Sequence, residues 1–234
     1  MTEPLLEAVN LAKDLGSGAA KVAALKGVTL TLKAGELTLL MGPSGSGKTT
    51  LLSILGCILT PTDGTVRLCG HSTAGLSAEA LALLRRDHVG FVFQSFHLFP
   101  TLSAIDNVRL ALDVRGVGSR VAKAGCREAL ERVGLANKTK AFPHELSGGE
   151  QQRVAIARAI VGKPSVILAD EPTAALDGEN GRAIMTIIAD IAKQEGHAVL
   201  IVTHDPRLLP FADRIVQIED GRITGEERGS QRLQ

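Results

Sequence analysis

Residues 42–49 of the chain read Gly42-Pro43-Ser44-Gly45-Ser46-Gly47-Lys48-Thr49. They match the pattern G-x-x-x-x-G-K-[ST] of a phosphate-binding loop. Leu37–Met41, just before the loop, has the composition of a buried strand, and Gly47–Cys57 has apolar residues at helical spacing. A strand, a glycine-rich turn and a helix start are the context that the motif requires, because backbone N–H groups at a helix start converge on phosphate oxygens. The loop therefore predicts binding of a nucleoside triphosphate.

Two side chains of the loop carry the expected chemistry. Lys48 would reach the β- and γ-phosphates, and the hydroxyl of Thr49 would ligate Mg²⁺. Thr50 follows directly and belongs to the predicted ATP-binding set. The alternative is a glycine-rich turn with a solvated lysine, and it loses weight once the flanking strand and helix are counted. ATP and Mg²⁺ are thus the predicted ligands.

The order of the apolar runs predicts the fold class. Leu5–Ala12, Val28–Leu32 and Leu37–Met41 form a strand-rich opening, while Val166–Ala169 and Ala198–Val202 are typical of buried parallel strands. Apolar residues at helical spacing predict helices at Gly47–Cys57, Ala78–Arg86, Ala122–Val133, Gly149–Val161 and Gly178–Glu195. This alternation predicts an α/β protein whose parallel sheet is covered by helices. The mostly helical stretch Ser95–Ala159 lacks an evident strand, which indicates an inserted helical lobe.

Size and composition exclude several classes of protein. A chain of 234 residues fits one domain, and 26 Lys and Arg against 25 Asp and Glu give no overall field that would attract nucleic acid. No apolar run approaches the length of a bilayer span, and the first residues lack a secretion signal, so we expect a cytoplasmic protein. Cys57, Cys69 and Cys126 are odd in number and far apart, which predicts unpaired core thiols.

Two acids follow the apolar run Val166–Ala169. Ligands bind at the carboxyl ends of parallel strands, so Asp170 is predicted to support Mg²⁺ and Glu171 to act as the general base for an attacking water. The alternative is a pair of solvated turn acids before Pro172, and it weakens beside a phosphate-binding loop.

A longer motif brings a family resemblance. Residues 146–153 read Leu146-Ser147-Gly148-Gly149-Glu150-Gln151-Gln152-Arg153 and resemble the signature sequence of ATP-binding-cassette (ABC) proteins. The other motifs resemble those of the family in the same order along nearly the whole chain. They are the phosphate-binding loop, Gln94 in the Q-loop, the signature, Asp170-Glu171, the D-loop Ala175-Leu176-Asp177, and the switch histidine in Thr203-His204-Asp205.

The resemblance implies the ABC ATPase fold and a function in pairs. It implies a P-loop core at 1–94 and 160–224 with an N-terminal antiparallel β subdomain, a helical lobe at about 95–159 and a polar tail at 225–234. In the family, the signature of one protomer faces the γ-phosphate bound by a second, so a homodimer is expected. The signature residues predicted to act in trans are Ser147, Gly148, Gly149 and Glu150. Ser147 and Glu150 also form a capping box, which starts a helix with or without nucleotide.

Three further side chains acquire roles from the resemblance. Gln94 would contact Mg²⁺ or water, although a lone glutamine is more often a surface residue. His204 would hydrogen-bond the γ-phosphate or the attacking water. Asp177 would serve dimer communication, or it simply caps the following helix. The remaining histidines are expected on the surface or in loops: His71, His88, His97, His144 and His197.

Two positions depart from the family pattern. Relatives usually stack adenine on an aromatic residue ahead of the loop, but this chain has no Trp or Tyr and no Phe before Phe91, and Leu15 stands at that place. We therefore expect aliphatic contact with the base and weak base discrimination. The D-loop begins with Ala174 where many relatives have serine, so one hydroxyl partner is missing.

Phenylalanines cluster around Gln94. Phe91 and Phe93 are expected in the core, whereas Phe96 and Phe99 lie in a loop too apolar to be left in water. As in ABC transporters, this region would seat an integral membrane permease, and the ATPase would lie on the inner face of the cell membrane.

The stretch Gly90–Leu102 and the end Ala212–Ile223 are similar to ATPases of lipoprotein-release and macrolide-export systems and to their cell-division relatives. The leading hypothesis is the ATPase subunit of a bacterial export, lipoprotein-release or envelope-maintenance system. The alternative is an ATP-driven module that switches a membrane-bound partner without moving a solute. A cassette acting on DNA or ribosomes is disfavoured, because the chain has no coiled-coil insertion and no basic run.

Overall fold

The N-terminal part of the chain forms an antiparallel sheet. The computed structural model describes residues 3–16, 18 and 21–229. The strands of this sheet are β1 (Leu6–Leu15), β2 (Val22–Leu32), β4 (Asp63–Leu68) and β5 (His71–Ser72). Their order in the sheet is β2-β1-β4-β5. In the sequence, Gly16-Ser17-Gly18 is a turn signal that follows the first predicted strand, and Ser17 lies outside the described residues.

A second sheet has six strands in the described chain. They are β3 (Leu37–Met41), β6 (Val89–Phe93), β7 (Val166–Asp170), β8 (Ala198–Thr203), β9 (Arg214–Glu219) and β10 (Arg222–Arg228). Their order is β10-β9-β3-β8-β7-β6. β10 runs antiparallel to β9, whereas the other neighbouring strands are parallel. The predicted parallel sheet is thus confirmed, and its carboxyl ends carry the predicted motifs.

Helices cover the parallel sheet. They are α1 (Lys48–Leu55), α2 (Ala78–His88), α3 (Ala104–Asp113), α4 (Ser119–Arg132), α5 (Gly148–Ile160) and α6 (Gly178–Glu195). Between β6 and β7 the described chain contains helices and no strand, as the sequence predicts. The division of the chain at residues 94 and 159 stays a prediction.

The parallel sheet is buried on both faces. Leu39 of β3 and Ile201 of β8 belong to a core shared with α3 to α6. The next residue of β3, Leu40, faces the opposite core with Leu200, and that core is completed by α1 and the antiparallel sheet. Burial on both faces explains why β3 and β8 are almost continuous apolar runs rather than alternating ones.

Two expectations from the sequence are wrong. Residues 225–228 belong to β10 rather than to a polar tail, because backbone pairing with β9 does not require apolar side chains. Residues 230–234 of the predicted tail lie outside the described residues. Cys69 is half-buried rather than a core residue, unlike the other two cysteines.

His197 lies in the loop between α6 and β8, one of the two places expected for it. It is nevertheless only 4% exposed, since its Nδ1 lies 2.5 Å from the carbonyl oxygen of Pro164 and its Nε2 lies 3.2 Å from Glu195.

Candidate functional site

The phosphate-binding loop connects β3 to α1 and is shaped by glycine. Gly47 caps α1 with a φ of +99°, and a Cβ atom there would lie 2.5 Å from the carbonyl oxygen of Ala24. Only glycine fits this turn without strain. The buried side chain of Lys48 folds back over the loop, where its Nζ donates to the carbonyl oxygens of Gly42 at 2.7 Å and Pro43 at 2.8 Å. The lysine therefore lies over the loop that the sequence predicts to bind phosphate.

One cavity of about 760 Å³ collects most of the predicted site residues. The predicted residues that line it are Leu15, Pro43, Ser44, Gly45, Gly47, Lys48, Thr49, Thr50, Gln94, Asp170, Glu171 and His204. Gly42 and Ser46 do not line this cavity; Ser46 is buried. Four motifs that are far apart in sequence thus meet at one edge of the sheet.

The backbone ladder sets the positions of these motifs. Met41, which precedes the loop, pairs with Thr203 on β8, and Val202 pairs with Asp170 on β7. The hydroxyl of Thr49 donates to Oδ2 of Asp170 at 3.3 Å. Burial raises the pKa of Asp170; the charge of Glu171 also raises it, whereas the hydrogen bond from Thr49 and the charge of Lys48 lower it. A hydroxyl and a carboxylate with a pKa above the ordinary range therefore converge beside the lysine.

Glu171 is held by the end of β8. Its backbone has a φ of +46°, a left-handed conformation that costs about 1–3 kcal/mol for a residue other than glycine. Thr203 Oγ1 donates to Oε2 at 3.0 Å, His204 N donates to Oε1 at 3.2 Å, and His204 Nδ1 lies 2.5 Å from the same Oε1. Such strain is typical of functional sites, where surrounding contacts fix an unfavourable backbone. The predicted base and the predicted switch histidine are thus in direct contact.

The signature forms a capped helix start outside the cavity. Ser147 Oγ accepts from Glu150 N at 3.2 Å, and Glu150 Oε2 accepts from Ser147 N at 2.8 Å, so the predicted capping box is confirmed. The Ser147 backbone hydrogen bond is the main cause that lowers the pKa of Glu150. Gly149 packs against α6, because a Cβ atom there would lie 2.8 Å from Oδ1 of Asn180. None of the predicted signature residues lines the cavity of about 760 Å³, the predicted nucleotide cavity.

Asp177 caps α6, as one of the two predicted readings requires. Its Oδ1 accepts from the backbone N of Glu179 at 3.1 Å and of Asn180 at 2.9 Å. Hydrogen bonds from the backbone and side chain of Asn180 lower its pKa. Asp177 does not line the cavity either, and its role in dimer communication stays a prediction.

Several cavity residues were not predicted from the sequence. They are Val22, Ala23, Ala24, Ala174, Asp220 and Gly221. Leu15 and Val22 are 41% and 64% exposed and form an aliphatic wall where the sequence predicts contact with the base. Asp220 lies 2.7 Å from Lys26 Nζ, and this hydrogen bond lowers its pKa. The dipeptide Asp220-Gly221 is a turn signal in the sequence, but no sequence pattern places it next to the phosphate-binding loop.

The structure divides the phenylalanines around Gln94 between β6, which contains Phe91 and Phe93, and the loop that follows it. Phe91 and Phe93 stack with ring centroids 5.4 Å apart and are partly buried, while Phe99 is 55% exposed. A second cavity of about 650 Å³ lies beside them, between α2, β6, α3 and α5. Its lining includes Leu83, Phe91, Phe93, His97 and Val114 with Arg85, Arg86, Arg115 and Arg158, but neither Phe96 nor Phe99. Among the residues that the structure describes, no helix has the length and apolar run needed to cross a bilayer.

Curated relatives and a family match agree with this geometry. The ABC transporter family matches residues 25–174. The macrolide export ATP-binding/permease protein MacB 1 of Aeromonas hydrophila is 44% identical over 228 residues, which cover 97% of this chain and 35% of that protein. MacB of Salmonella typhimurium is 46% identical over 219 residues, covering 94% of this chain and 34% of that protein. The chain thus spans about a third of the length of these relatives.

Solved structures share the fold over nearly the whole chain. A dimeric post-hydrolysis state of the ATP-binding cassette MJ0796 bound to ADP and Pi has a TM-score of 0.87 at 40% identity, covering 97% of this chain and 99% of that one. CbiO1 from Clostridium perfringens, part of the ABC transporter complex cbiONQ, also has a TM-score of 0.87, at 28% identity and with 97% and 90% covered. The family match extends over more than half of the residues, and both relatives exceed 40% identity. The chain therefore belongs to the ABC transporter family and has the fold of its ATPase cassettes.

Proposed function

We propose that this cassette binds and hydrolyses ATP, and that two copies close around the nucleotide to drive a membrane permease. One observation carries the proposal. Lys48, Thr49, Gln94, Asp170, Glu171 and His204 line a single cavity at the carboxyl edge of a parallel sheet. A cation, a hydroxyl, an amide, two carboxylates and an imidazole are the groups that phosphoryl transfer to water requires.

Lys48 would bind the phosphates of ATP, and Glu171 would act on the water that attacks the γ-phosphate. Lys48 exchanges its hydrogen bonds to the loop carbonyls for bonds to the β- and γ-phosphates. Glu171 accepts a proton from the attacking water and orients it toward the γ-phosphate. His204 already contacts Glu171 through Nδ1, so its imidazole lies close enough to meet the γ-phosphate or the water. The protein thus supplies position and charge rather than covalent chemistry.

The oxygen donors of the cavity fit Mg²⁺. The Thr49 hydroxyl and the Asp170 carboxylate already converge, and Gln94 adds an amide oxygen to the same cavity. Hard oxygen donors of this kind suit a small divalent cation that is bound mainly by nucleotide phosphates. When bound, Mg²⁺ neutralises negative charge on the phosphate oxygens. Thr49, Asp170 and Gln94 would hold it.

The signature would complete the site of a second copy. Ser147 is exposed at the start of α5, and this capped helix end can meet an anion that comes from outside the chain. The dimeric state described for the ATP-binding cassette MJ0796 supports this arrangement. Ser147, Gly148, Gly149 and Glu150 would then contact the γ-phosphate held by the partner, and Asp177 would connect the two sites.

The groove between the sheet and the helical region is the proposed seat of the permease. Leu83 and Val114 are exposed on its lining, and Arg86 and Arg115 also line it. Phe96 and Phe99 lie within two residues of His97, which lines this groove, and would extend the contact. An apolar groove with arginines suits a short helix that carries apolar residues and a carboxylate. The relatives named ATP-binding/permease proteins support a permease partner, and this partner would place the cassette at the inner face of the membrane.

Export is the proposed task of the complex. The macrolide-export names of the relatives support this direction of transport. Lipoprotein release and envelope maintenance belong to the same proposal, because the Q-loop and C-terminal stretches resemble those systems as well.

The hydrolytic function is tested with Glu171→Gln. Wild-type protein should hydrolyse ATP in the presence of Mg²⁺, and Glu171→Gln should bind ATP while its turnover falls by about 10²- to 10⁴-fold. A dimer should accumulate with ATP in this variant, as measured by size-exclusion chromatography. Glu131→Gln, an exposed exchange on α4, is the matched control. No turnover by the wild type would contradict the proposed function, and full turnover by Glu171→Gln would exclude Glu171 as the base.

The proposed permease partner is tested by purifying the tagged cassette from native membranes in mild detergent. Proteins that co-purify with it are identified by mass spectrometry. We expect an integral membrane protein, and we expect its recovery to fall with the double variant Phe96→Ala, Phe99→Ala. Unchanged recovery would exclude these two residues from the contact. Recovery of the cassette only with ribosomes or DNA would contradict the transporter function.

A further inference from the structure

We propose that Thr203 is a positioning residue for ATP hydrolysis, because its hydroxyl fixes the carboxylate of Glu171. The inference rests on the proposed function, since it concerns the base named there. Thr203 is the last residue of β8, is fully buried and is not among the residues that line the nucleotide cavity.

The two hydrogen bonds of the Thr203 side chain determine which group receives its hydroxyl proton. Its Oγ1 accepts from the backbone N of Asp205 at 3.0 Å and donates to Oε2 of Glu171 at 3.0 Å. A hydroxyl has a single proton, and because the Asp205 N–H is itself a donor, Oε2 of Glu171 is the acceptor for that proton. The β-branched side chain is also stiff at χ1, so the strand fixes the position of Oγ1. Thr203 therefore presents a preset donor to Oε2.

The two oxygens of Glu171 are held differently. Oε1 contacts His204 through its backbone N and its Nδ1, but the side chain of His204 is 72% exposed. An exposed imidazole can turn toward the γ-phosphate when nucleotide binds, and its bond to Oε1 would then be lost. The bond from Thr203 comes from a buried side chain within a paired strand, so it persists through such a change.

The main chain of Glu171 is fixed by a backbone hydrogen bond, but this bond does not fix the direction of its carboxylate. Glu171 has a positive φ, and its N–H donates to the carbonyl oxygen of Val202 at 2.9 Å. The main chain is thus anchored to β8, one residue before Thr203. The side chain still has rotatable bonds, and a misplaced carboxylate loses the alignment of the attacking water. Loss of the Thr203 hydroxyl should therefore slow hydrolysis without weakening ATP binding.

The test compares Thr203→Val, which keeps the shape and removes the hydroxyl, with Thr203→Ser, which keeps the hydroxyl. At saturating ATP and Mg²⁺, kcat of Thr203→Val should fall by about ten- to hundredfold, the range for a hydrogen bond to a charged group. Its KM for ATP and its binding of a fluorescent ATP analogue should stay within about twofold of the wild type, and Thr203→Ser should keep kcat within about threefold. Thr203→Ala also lacks the hydroxyl and provides a second measurement if Thr203→Val folds poorly.

Thr38→Val is the matched control. Thr38 is fully buried on the adjacent strand β3, and its hydroxyl donates to a carboxylate oxygen of Glu36 at 2.9 Å, outside the nucleotide cavity. The exchange therefore removes the same kind of bond from the same sheet, and kcat should not change. Wild-type kcat in both Thr203→Val and Thr203→Ala would overturn the proposal, as would an equal loss in Thr203→Ser or Thr38→Val.

A double variant separates this proposal from the proposed function. If Thr203 acts through Glu171, adding Thr203→Val to Glu171→Gln should cause no further loss of kcat, whereas additive losses would overturn the role of Thr203. Full turnover by Glu171→Gln alone would contradict the base assignment itself and with it the proposal for Thr203.

Discussion

The guanidinium of Arg158 donates a hydrogen bond to the backbone carbonyl oxygen of Phe96 at 2.7 Å. A second bond reaches the carbonyl oxygen of His97 at 2.5 Å. Arg158 lies in the last turn of α5, the helix that begins with the signature, and burial lowers its pKa. The side chain of Arg158, on the helix that begins with the signature, thus fixes the main chain of the segment that follows Gln94.

Arg158→Met should destabilise the protein, because two backbone carbonyl groups lose a charged donor. We expect the free energy of unfolding to fall by about 1–3 kcal/mol in urea denaturation. The control is Arg109→Met on α3, which removes an exposed pair with Asp113 at 3.1 Å and should cost less than about 0.5 kcal/mol. Equal losses in the two variants would show that the bonds to Phe96 and His97 add no stability.

Turnover should depend weakly on the base of the nucleotide. The cavity wall where we expect the base is formed by aliphatic Leu15 and Val22, which lack the ring face and the hydrogen-bond groups that distinguish adenine from guanine. We expect kcat/KM for ATP and GTP to agree within about threefold, and Leu15→Tyr to tighten ATP binding by about two- to tenfold through stacking. A strong preference of the wild type for ATP would contradict this expectation.

Only one of the three thiols should react quickly in the folded protein. Burial raises the pKa of Cys126 to about 11 and also raises that of Cys57, and both side chains are buried. A buried thiol with a raised pKa supplies little thiolate to an alkylating reagent at pH 8. We expect rapid labelling at Cys69 alone, loss of that labelling in Cys69→Ser, and labelling of all three thiols in urea. Rapid labelling of Cys126 in the folded state would contradict the buried packing of α4.

The ion pair between Arg132 and Glu195 should stabilise the protein in a pH-dependent way. Burial raises the pKa of Glu195, but hydrogen bonds and charge from Arg132 and His197 outweigh it, so the net pKa lies below the ordinary value of 4.5. A lowered carboxyl pKa adds stability above the pKa of the unfolded chain, and this stability is lost as pH falls through the folded value.

The difference in unfolding free energy between the wild type and Glu195→Gln should therefore be full at pH 7. It should shrink as the pH falls below about 4. Urea denaturation at several pH values measures it, and Glu131→Gln on the exposed face of α4 should show no such trend. A difference that is independent of pH would contradict the charged interaction.

Much of the site could be predicted because its motifs are short and follow strands. Each motif lies at the end of a buried strand: the loop follows Met41, the acids follow Ala169 and the histidine follows Thr203. Parallel strands bring such ends together, so proximity followed from the pattern alone. The capping box of Ser147 and Glu150 is equally local and could be identified from four residues.

Other features depend on contacts between distant residues. The sequence does not delimit α3 within the helical stretch, because the polar Asn107 is buried there and interrupts the apolar pattern. The amide of Asn107 donates to the carbonyl oxygens of Phe99 and Leu102. His197 is buried for a similar reason, since Pro164 and Glu195 satisfy its ring. The approach of Val22 and Asp220 to the cavity depends on how two sheets pack, which no local pattern records.

The pairing of Met41 with Thr203 and of Val202 with Asp170 has a consequence for how this cassette can change. Neighbouring strands are spaced by backbone hydrogen bonds, at about 4.8 Å whatever their side chains are. The separation between the loop and the acids is therefore independent of the residues that we propose to contact the base or a permease. On that proposal, substitutions at Leu15, at Val22 or in the arginine-lined groove would alter nucleotide choice or partner choice while the spacing of the hydrolytic groups stays the same.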